Sequence, residues 1–292
     1  MPKPKRTHPP VPPYEMPPAR TLRLPDRGEL FLRDSGPAHP GDAPPVMLLH
    51  GWLATADLNW AGAYPALIDA GYRVIAIDHR GHGRGLRTMA PFRLADCAAD
   101  AAAALRALDV GPAVVVGYSM GGAIAQLLAR DHGDVASGIV LSGTAQHWQE
   151  AESKRVWRSM GAFGLTLSVA PRVSYRAGFK RAGLLDAERT AWLLGELTRH
   201  SARDVAEAGR ELGRFDSRPW LHSVNVPAAV VVTSRDSAVS PRKQRELAAA
   251  LGAEEFDAPI DHLDVTTRGD LFNGPLLEAI AAVQARDRAS VR

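Results

Sequence analysis

Five short apolar runs recur along the chain with helical stretches between most of them, and this alternation limits the fold more than any other feature. The runs cover 45–50, 72–78, 113–118, 138–142 and 228–234. They are continuous rather than alternating, as strands buried on both faces must be. Helical patterns fall at 63–70, 95–108, 119–132 and 241–251. Strands and helices of this length, alternating, pair in parallel through right-handed crossovers, so the expected fold class is α/β, a doubly wound and mostly parallel sheet. Ahead of it, 21–24 and 29–33 are β-like runs separated by Pro25-Asp26-Arg27-Gly28. That turn sequence makes them an antiparallel hairpin at a sheet edge.

Two segments depart from the alternation. Residues 1–20 hold eight of the 22 prolines and read as an extended, flexible arm. Residues 146–219 offer no buried-strand run but at least two amphipathic helices. One starts at Ser201, with Asp204 three residues on and Val205, Ala208 and Leu212 along one face. Asp186 can cap another that carries Trp192, Leu193 and Leu197. The expected organisation is therefore an arm at 1–20, a core at 21–145 and 220–292, and a helical cap inserted at 146–219. A length of 292 residues with 46% hydrophobic content suits one such domain and excludes a disordered chain. Trp148, Trp157, Trp192 and Trp220 lie in or beside the cap, with Phe163, Leu165, Leu167 and Phe179. Some of these fold the cap, and a few are expected to line an apolar pocket beneath it.

The chemistry concentrates at Gly117-Tyr118-Ser119-Met120-Gly121-Gly122, between an apolar strand and a helix. Glycines two before and two after a serine permit a sharp strand-to-helix turn that exposes the hydroxyl near a helix N-terminus. The plain alternative is a glycine-rich turn in which Ser119 merely caps the helix. A serine nucleophile needs a base and an acid to orient it. Asp236 follows the buried run at 228–234, and His262 lies 26 residues later, before the last helical stretch. Asp261 and Asp264 compete for the acid but stand so near His262 that loop or capping roles suit them better. Backbone N–H groups of Met120 and Trp52 are the candidate oxyanion hole, and Trp52 and Tyr118 the candidate substrate-binding side chains. His50 is expected to hold its loop rather than act as a base. The glycine-rich Asp78-His79-Arg80-Gly81-His82-Gly83-Arg84-Gly85 lacks the Gly-Lys-Ser/Thr of a P-loop and reads as a tight loop at a strand end.

Taken together these residues resemble the α/β-hydrolase fold family from about Thr21 to the C-terminus. His50-Gly51-Trp52, the glycine-rich loop from Asp78, the nucleophile turn at Ser119, Asp236 and His262 follow the family's order. The resemblance implies a serine hydrolase of carboxylic esters, of esterase or lipase type, acting on hydrophobic acyl or ring substrates. Lactonase, carbon–carbon bond hydrolase and cofactor-free perhydrolase or haloperoxidase activities are the alternatives within the family. A non-catalytic ligand-binding protein on the same fold is the alternative outside it. Serine at 119 argues against the epoxide hydrolases and haloalkane dehalogenases, which use aspartate there. Two departures stand out: Leu53 follows Trp52 where haloperoxidase-like members carry proline, and Gly85 stands where many relatives carry serine.

Charge and cysteine content narrow the partners. The chain has 35 basic and 32 acidic residues, and Lys3, Lys5, Arg6 and Arg20 against Glu15 place a net +3 in the first twenty residues. Thirty of the basic residues are arginine, read as spread along the chain, and no nucleic-acid module is recognisable. Cys97 is the single cysteine, so neither a disulfide framework nor a cysteine zinc site is available. No cofactor or metal is expected. The basic N-terminus has no apolar stretch behind it, and no run approaches the roughly 20 apolar residues that span a bilayer. The expectations are cytoplasmic localisation, no integral membrane association, a small hydrophobic ester as partner, and a homodimer as an open option.

Overall fold

A computed structural model describes residues 14–37, 44–181 and 187–290. Its strands are β1 (Ala19–Leu24), β2 (Gly28–Asp34), β3 (Val46–Leu49), β4 (Val74–Ile77), β5 (Ala113–Tyr118), β6 (Ala136–Ser142), β7 (Ala228–Thr233) and β8 (Glu254–Ala258). Among the described residues they form one sheet in the order β1-β2-β4-β3-β5-β6-β7-β8. The β1–β2 hairpin and the β2–β4 pair are antiparallel, and the remaining pairs are parallel. Every residue of β3, β4, β5 and β7 is buried, which is why these strands read as unbroken apolar runs. Side chains of β3 alternate between two cores, Met47 and Leu49 joining one and Val46 and Leu48 the other.

The helices are α1 (Ala56–Trp60), α2 (Tyr64–Asp69), α3 (Leu94–Leu108), α4 (Met120–Asp131), α5 (Ala151–Arg158), α6 (Met160–Val169), α7 (Pro171–Arg181), α8 (Ala187–Leu197), α9 (Ala202–Arg214), α10 (Pro241–Leu251) and α11 (Gly269–Ser290). The first core packs α3, α4 and α10 on one face of the sheet, and the second packs α2 and α11 on the other. Cys97 is a fully buried member of the first core. Helices α5–α9 all fall between β6 and β7. Ser201 caps α9 by accepting from Asp204 N, and Val205, Ala208 and Leu212 are buried, as the spacing predicts. Asp186 lies outside the described residues.

Two points of the sequence reading need correction. The segment read as a flexible arm is ordered against the core from residue 14. The Pro17 carbonyl accepts from Arg33 at 3.0 Å, Asp34 N–H donates to the Pro18 carbonyl at 3.0 Å, and β1 begins at Ala19. Strand β8 was not anticipated, because three of its five residues are acidic and only Ala258 is buried, a charged edge strand rather than an apolar run. Between β6 and β7 the described residues form five helices, in keeping with the at least two that the patterning offers.

Helix α8 is tied to the core by buried charge. Arg84 donates from Nη2 to Asp57 Oδ2 at 2.9 Å and to Glu196 Oε2 of α8 at 2.8 Å, and its Nε reaches Asp78 Oδ2 at 3.3 Å. Arg33 makes a two-pronged bond to Asp57 at 2.9 and 2.6 Å. Asp57, Asp78 and Glu196 are all buried. Burial pushes the carboxyls of Asp78 and Glu196 up, while at Asp57 Arg33 and Arg84 overcome burial and hold the carboxyl down. Removing Arg84 leaves buried Asp78 without a cation, while Asp57 keeps Arg33 and Glu196 keeps Arg199, so Arg84→Ala is expected to cost about 3–5 kcal/mol in urea unfolding. Arg84→Lys restores only part of this, because a single ammonium cannot reproduce the guanidinium fork.

Candidate active site

The site arises where the chain reverses its direction of winding. From β3 the chain adds β4 on one side and then returns to place β5 on the other, which opens a crevice at the carboxyl ends of β3 and β5. The register sets Leu49 opposite Gly117, so Trp52 and Met120 each lie three residues beyond a paired position. Ser119 leaves β5 at φ 54°, ψ −116°, a left-handed turn that starts α4 at once. A Cβ on Gly117 would meet the Gly121 carbonyl, and one on Gly121 would meet the Leu49 carbonyl, so both positions require glycine. The Ser119 side chain makes no cap bond to α4. Its Oγ lies 3.0 Å from His262 Nε2.

The β7–β8 pairing brings the other two groups in. Ser234 N–H donates to the Ala258 carbonyl and Arg235 N–H to the Ile260 carbonyl, so the chain after β7 runs beside the chain after β8. Asp236 Oδ2 stands 2.7 Å from His262 Nδ1 and accepts from Thr233 Oγ1 at 2.7 Å. Its Oδ1 accepts from the N–H groups of Ala238 and Val239 at 2.8 and 2.7 Å. Asp261 and Asp264 take the capping roles anticipated for them, forming a capping box on the short 3₁₀ turn His262–Thr266. Asp261 also accepts from the Ser237 N–H and hydroxyl, both at 2.8 Å.

Among the described residues neither the Trp52 nor the Met120 backbone N–H has a hydrogen-bond partner. Gly51 carries the first of these beside the serine: a Cβ there would stand 3.2 Å from the Ser119 Cβ. The loop is held by Asn59, which accepts from Gly51 N at 2.9 Å, and by His50, whose Nδ1 meets the Gly51 carbonyl at 2.8 Å and whose Nε2 accepts from His79 N at 2.9 Å. The Trp52 indole donates to the Val205 carbonyl of α9 at 2.8 Å and packs on Trp157 and Phe163. Tyr118 differs from expectation. It is 2% exposed, packs on Trp60 and Phe272, and donates to the His262 carbonyl at 2.7 Å. It is a prop beneath the histidine loop, out of reach of a substrate, because the last residue of a buried strand points into the core.

Patterning missed Asn59, Thr233 and Gln244. Gln244 of α10 donates to the Val239 carbonyl at 2.8 Å and to Thr233 Oγ1 at 2.7 Å, fixing the loop of Asp236 from a distance that leaves no local motif. The two departures from the family pattern find reasons. Leu53 has φ 58°, which the ring of proline cannot adopt. A Cβ at Gly85 would collide with the backbone of Asp78 and His79.

Comparison with known proteins agrees with this layout. Residues 44–181 match the alpha/beta hydrolase fold family. The chain is 28% identical over 282 residues to the non-heme chloroperoxidase of Burkholderia pyrrocinia, a match covering 88% of this chain and 98% of that one. It is 35% identical over 130 residues to a bifunctional esterase/perhydrolase of Acinetobacter calcoaceticus, covering 44% of this chain and 46% of the relative. The enol-lactonase from Burkholderia xenovorans LB400 superposes with a TM-score of 0.71 at 25% identity, over 90% of this chain and 100% of that one. The sheet, its winding and these matches define an α/β hydrolase. The chain has the α/β-hydrolase fold, with the family's match over residues 44–181.

Two outcomes are expected. Leu53→Pro forces the loop out of its left-handed turn and moves the Trp52 N–H, lowering turnover by about tenfold or more, whereas Leu53→Gly keeps turnover near wild type. Burial holds His50 down at about 4 and His82 at about 3, from an ordinary 6.5. The unfolded chain therefore takes up these protons first. Stability from this source is whole above about pH 6.5 and declines as pH falls towards 4 and then 3. Urea midpoints should begin to drop near pH 6, before carboxylates titrate.

Proposed function

We propose that this α/β hydrolase is a serine carboxylic-ester hydrolase working through an acyl-enzyme. The observation that carries the proposal is the unbroken chain from Ser119 Oγ through His262 to Asp236, at 3.0 and 2.7 Å, beside two unpartnered N–H groups. Ser119 Oγ attacks the acyl carbon while His262 Nε2 takes its proton, and the carbonyl oxygen becomes an oxyanion facing the N–H groups of Trp52 and Met120. The tetrahedral centre then expels the alcohol, which leaves with the proton from His262. Water adds to the acyl-enzyme by the same route and releases the carboxylic acid and Ser119. Asp236 accepts the Nδ1–H throughout and balances the transient imidazolium. Helices α5–α9 act as a cap, with Trp52, Trp157 and Phe163 supplying apolar surface for a hydrophobic acyl or ring group.

A second reading uses the same acyl-enzyme. The chloroperoxidase, esterase/perhydrolase and enol-lactonase names of the relatives favour it: peroxide in place of water gives a peracid, and a cyclic ester gives a hydroxy acid. The test compares wild type and Ser119→Ala on p-nitrophenyl esters from acetyl to palmitoyl. The variant is expected to lose about 10⁴-fold or more in kcat. Full activity in Ser119→Ala would sink the mechanism. Peracid formation on adding peroxide, or faster opening of lactones than of open-chain esters, would select the second reading.

A further inference from the structure

The cations are less evenly spread than a whole-chain count implies. Residues 151–181, which form α5–α7, carry seven Lys or Arg against a single acid, Glu152, giving +6 in a chain whose total is +3. Lys154, Arg155, Arg158, Arg172, Arg176 and Lys180 are all exposed, and among the described residues none of the six makes an ion pair. Some arginines elsewhere on the surface find carboxylates, as Arg106, Arg203 and Arg268 do, while among the described residues single exposed arginines such as Arg23 and Arg93 do not; only in α5–α7 do the unpaired cations gather. An unpaired cluster of one sign is a standing electrostatic attraction for a polyanion.

Aliphatic side chains stand out among these cations. Leu165, Val169 and Val173 are 67%, 78% and 70% exposed. Leu165 and Val169 lie one turn apart on α6, and Val173 follows across the corner into α7, where the Ser174 hydroxyl donates back to the Ala170 carbonyl at 2.9 Å. The opposite side of α6 is already used: Met160, Gly164 and Leu167 are buried, and Gly164 packs against Ala206 of α9. Helix α6 is thus apolar on two sides with one side covered.

We propose that α5–α7 form a docking surface for an anionic lipid bilayer. Leu165, Val169 and Val173 enter the boundary between headgroups and acyl chains, and the six cations lie among the lipid phosphates. A nucleic acid would satisfy the charge but leave the three aliphatic side chains against a hydrated polyanion, and among the described side chains of α5–α7 no aromatic ring is exposed beside them for base stacking. A second copy related by a two-fold axis would bring +6 against +6. An anionic bilayer takes both the charge and the apolar surface. The inner sides of α5 and α6 hold Trp157 and Phe163 on Trp52, so docking sets the membrane over the side of the protein where the site lies. No described helix is long and apolar enough to cross a membrane, and surface docking needs none.

The docking does not depend on the chemistry of Ser119, so the full-length Ser119→Ala chain is tested by co-sedimentation with phosphatidylcholine vesicles and with mixed phosphatidylcholine–phosphatidylglycerol vesicles. Binding is expected only to the mixed vesicles, with release at high salt. R172E/R176E/K180E should lower the partition coefficient on the order of a hundredfold. L165S/V169S/V173S should lower it about tenfold or more with melting temperature unchanged. Absence of binding to mixed vesicles overturns the proposal, as does binding that the aliphatic triple variant leaves intact. Equally tight binding to a single-stranded oligonucleotide, insensitive to the same variant, would assign the surface to nucleic acid instead.

Discussion

The first turn of α4 comes down onto the end of β3 so closely that Gly121 has no room for a Cβ beside the Leu49 carbonyl, and the geometry of the whole crevice depends on that approach. With the helix start pinned there, the connection from β5 has a single residue in which to turn, and Ser119 takes the left-handed backbone that a serine ordinarily avoids. Strain of this kind costs on the order of 1–3 kcal/mol. It is held by burial on both sides, since all of β5 before it and α4 from Met120 to Ala129 are buried. The same approach sets two N–H groups from different loops side by side without a partner. A turn even one residue longer would cap the helix with the serine hydroxyl and lose the arrangement.

Much of this was legible before any coordinates, and the reasons are local. Strands buried on both faces write themselves as unbroken apolar runs, and the demand for glycine at 117 acts within five residues, whereas that at 121 comes from the distant Leu49 carbonyl. What escaped was set by contacts distant in the chain or by positions where propensity is weak. Strand β8 carries Glu254, Glu255 and Asp257 because it is an edge, and yet it carries the histidine loop to Asp236. Asn59 and Gln244 reveal their purpose only once α1 and α10 are folded against their loops. Tyr118 was misread as substrate-facing because its neighbour in sequence points into the crevice, although adjacent strand residues face opposite ways. Averaging charge over the whole chain concealed the basic stretch in α5–α7.

Arginine is used in two opposite ways along the same insertion and its base. At the inner end, Arg84 holds Glu196 of α8 together with Asp57 and Asp78, and Arg87 donates to the Gly83 and Arg199 carbonyls at 2.6 and 2.7 Å. These bonds make α8 and the turn after it an extension of the core. At the outer end, among the described residues, six cations of α5–α7 make no ion pair. The insertion is therefore stiff where it meets the crevice and unsatisfied where it meets its surroundings.

The two ends of the insertion also meet. His147 and Asp216 form an antiparallel bridge, and Ser217 N–H donates to the Gln146 carbonyl at 2.8 Å, so the chain leaves and rejoins the core about 5 Å apart. To the sheet, the whole insertion between these two residues amounts to one closed loop. Closing such a loop costs an entropy that grows only with the logarithm of its length. The helices between 147 and 216 can consequently be lengthened, trimmed or exchanged over evolutionary time while β6 and β7 keep their register. A scaffold with one such gate can change what it recognises without relearning how to fold.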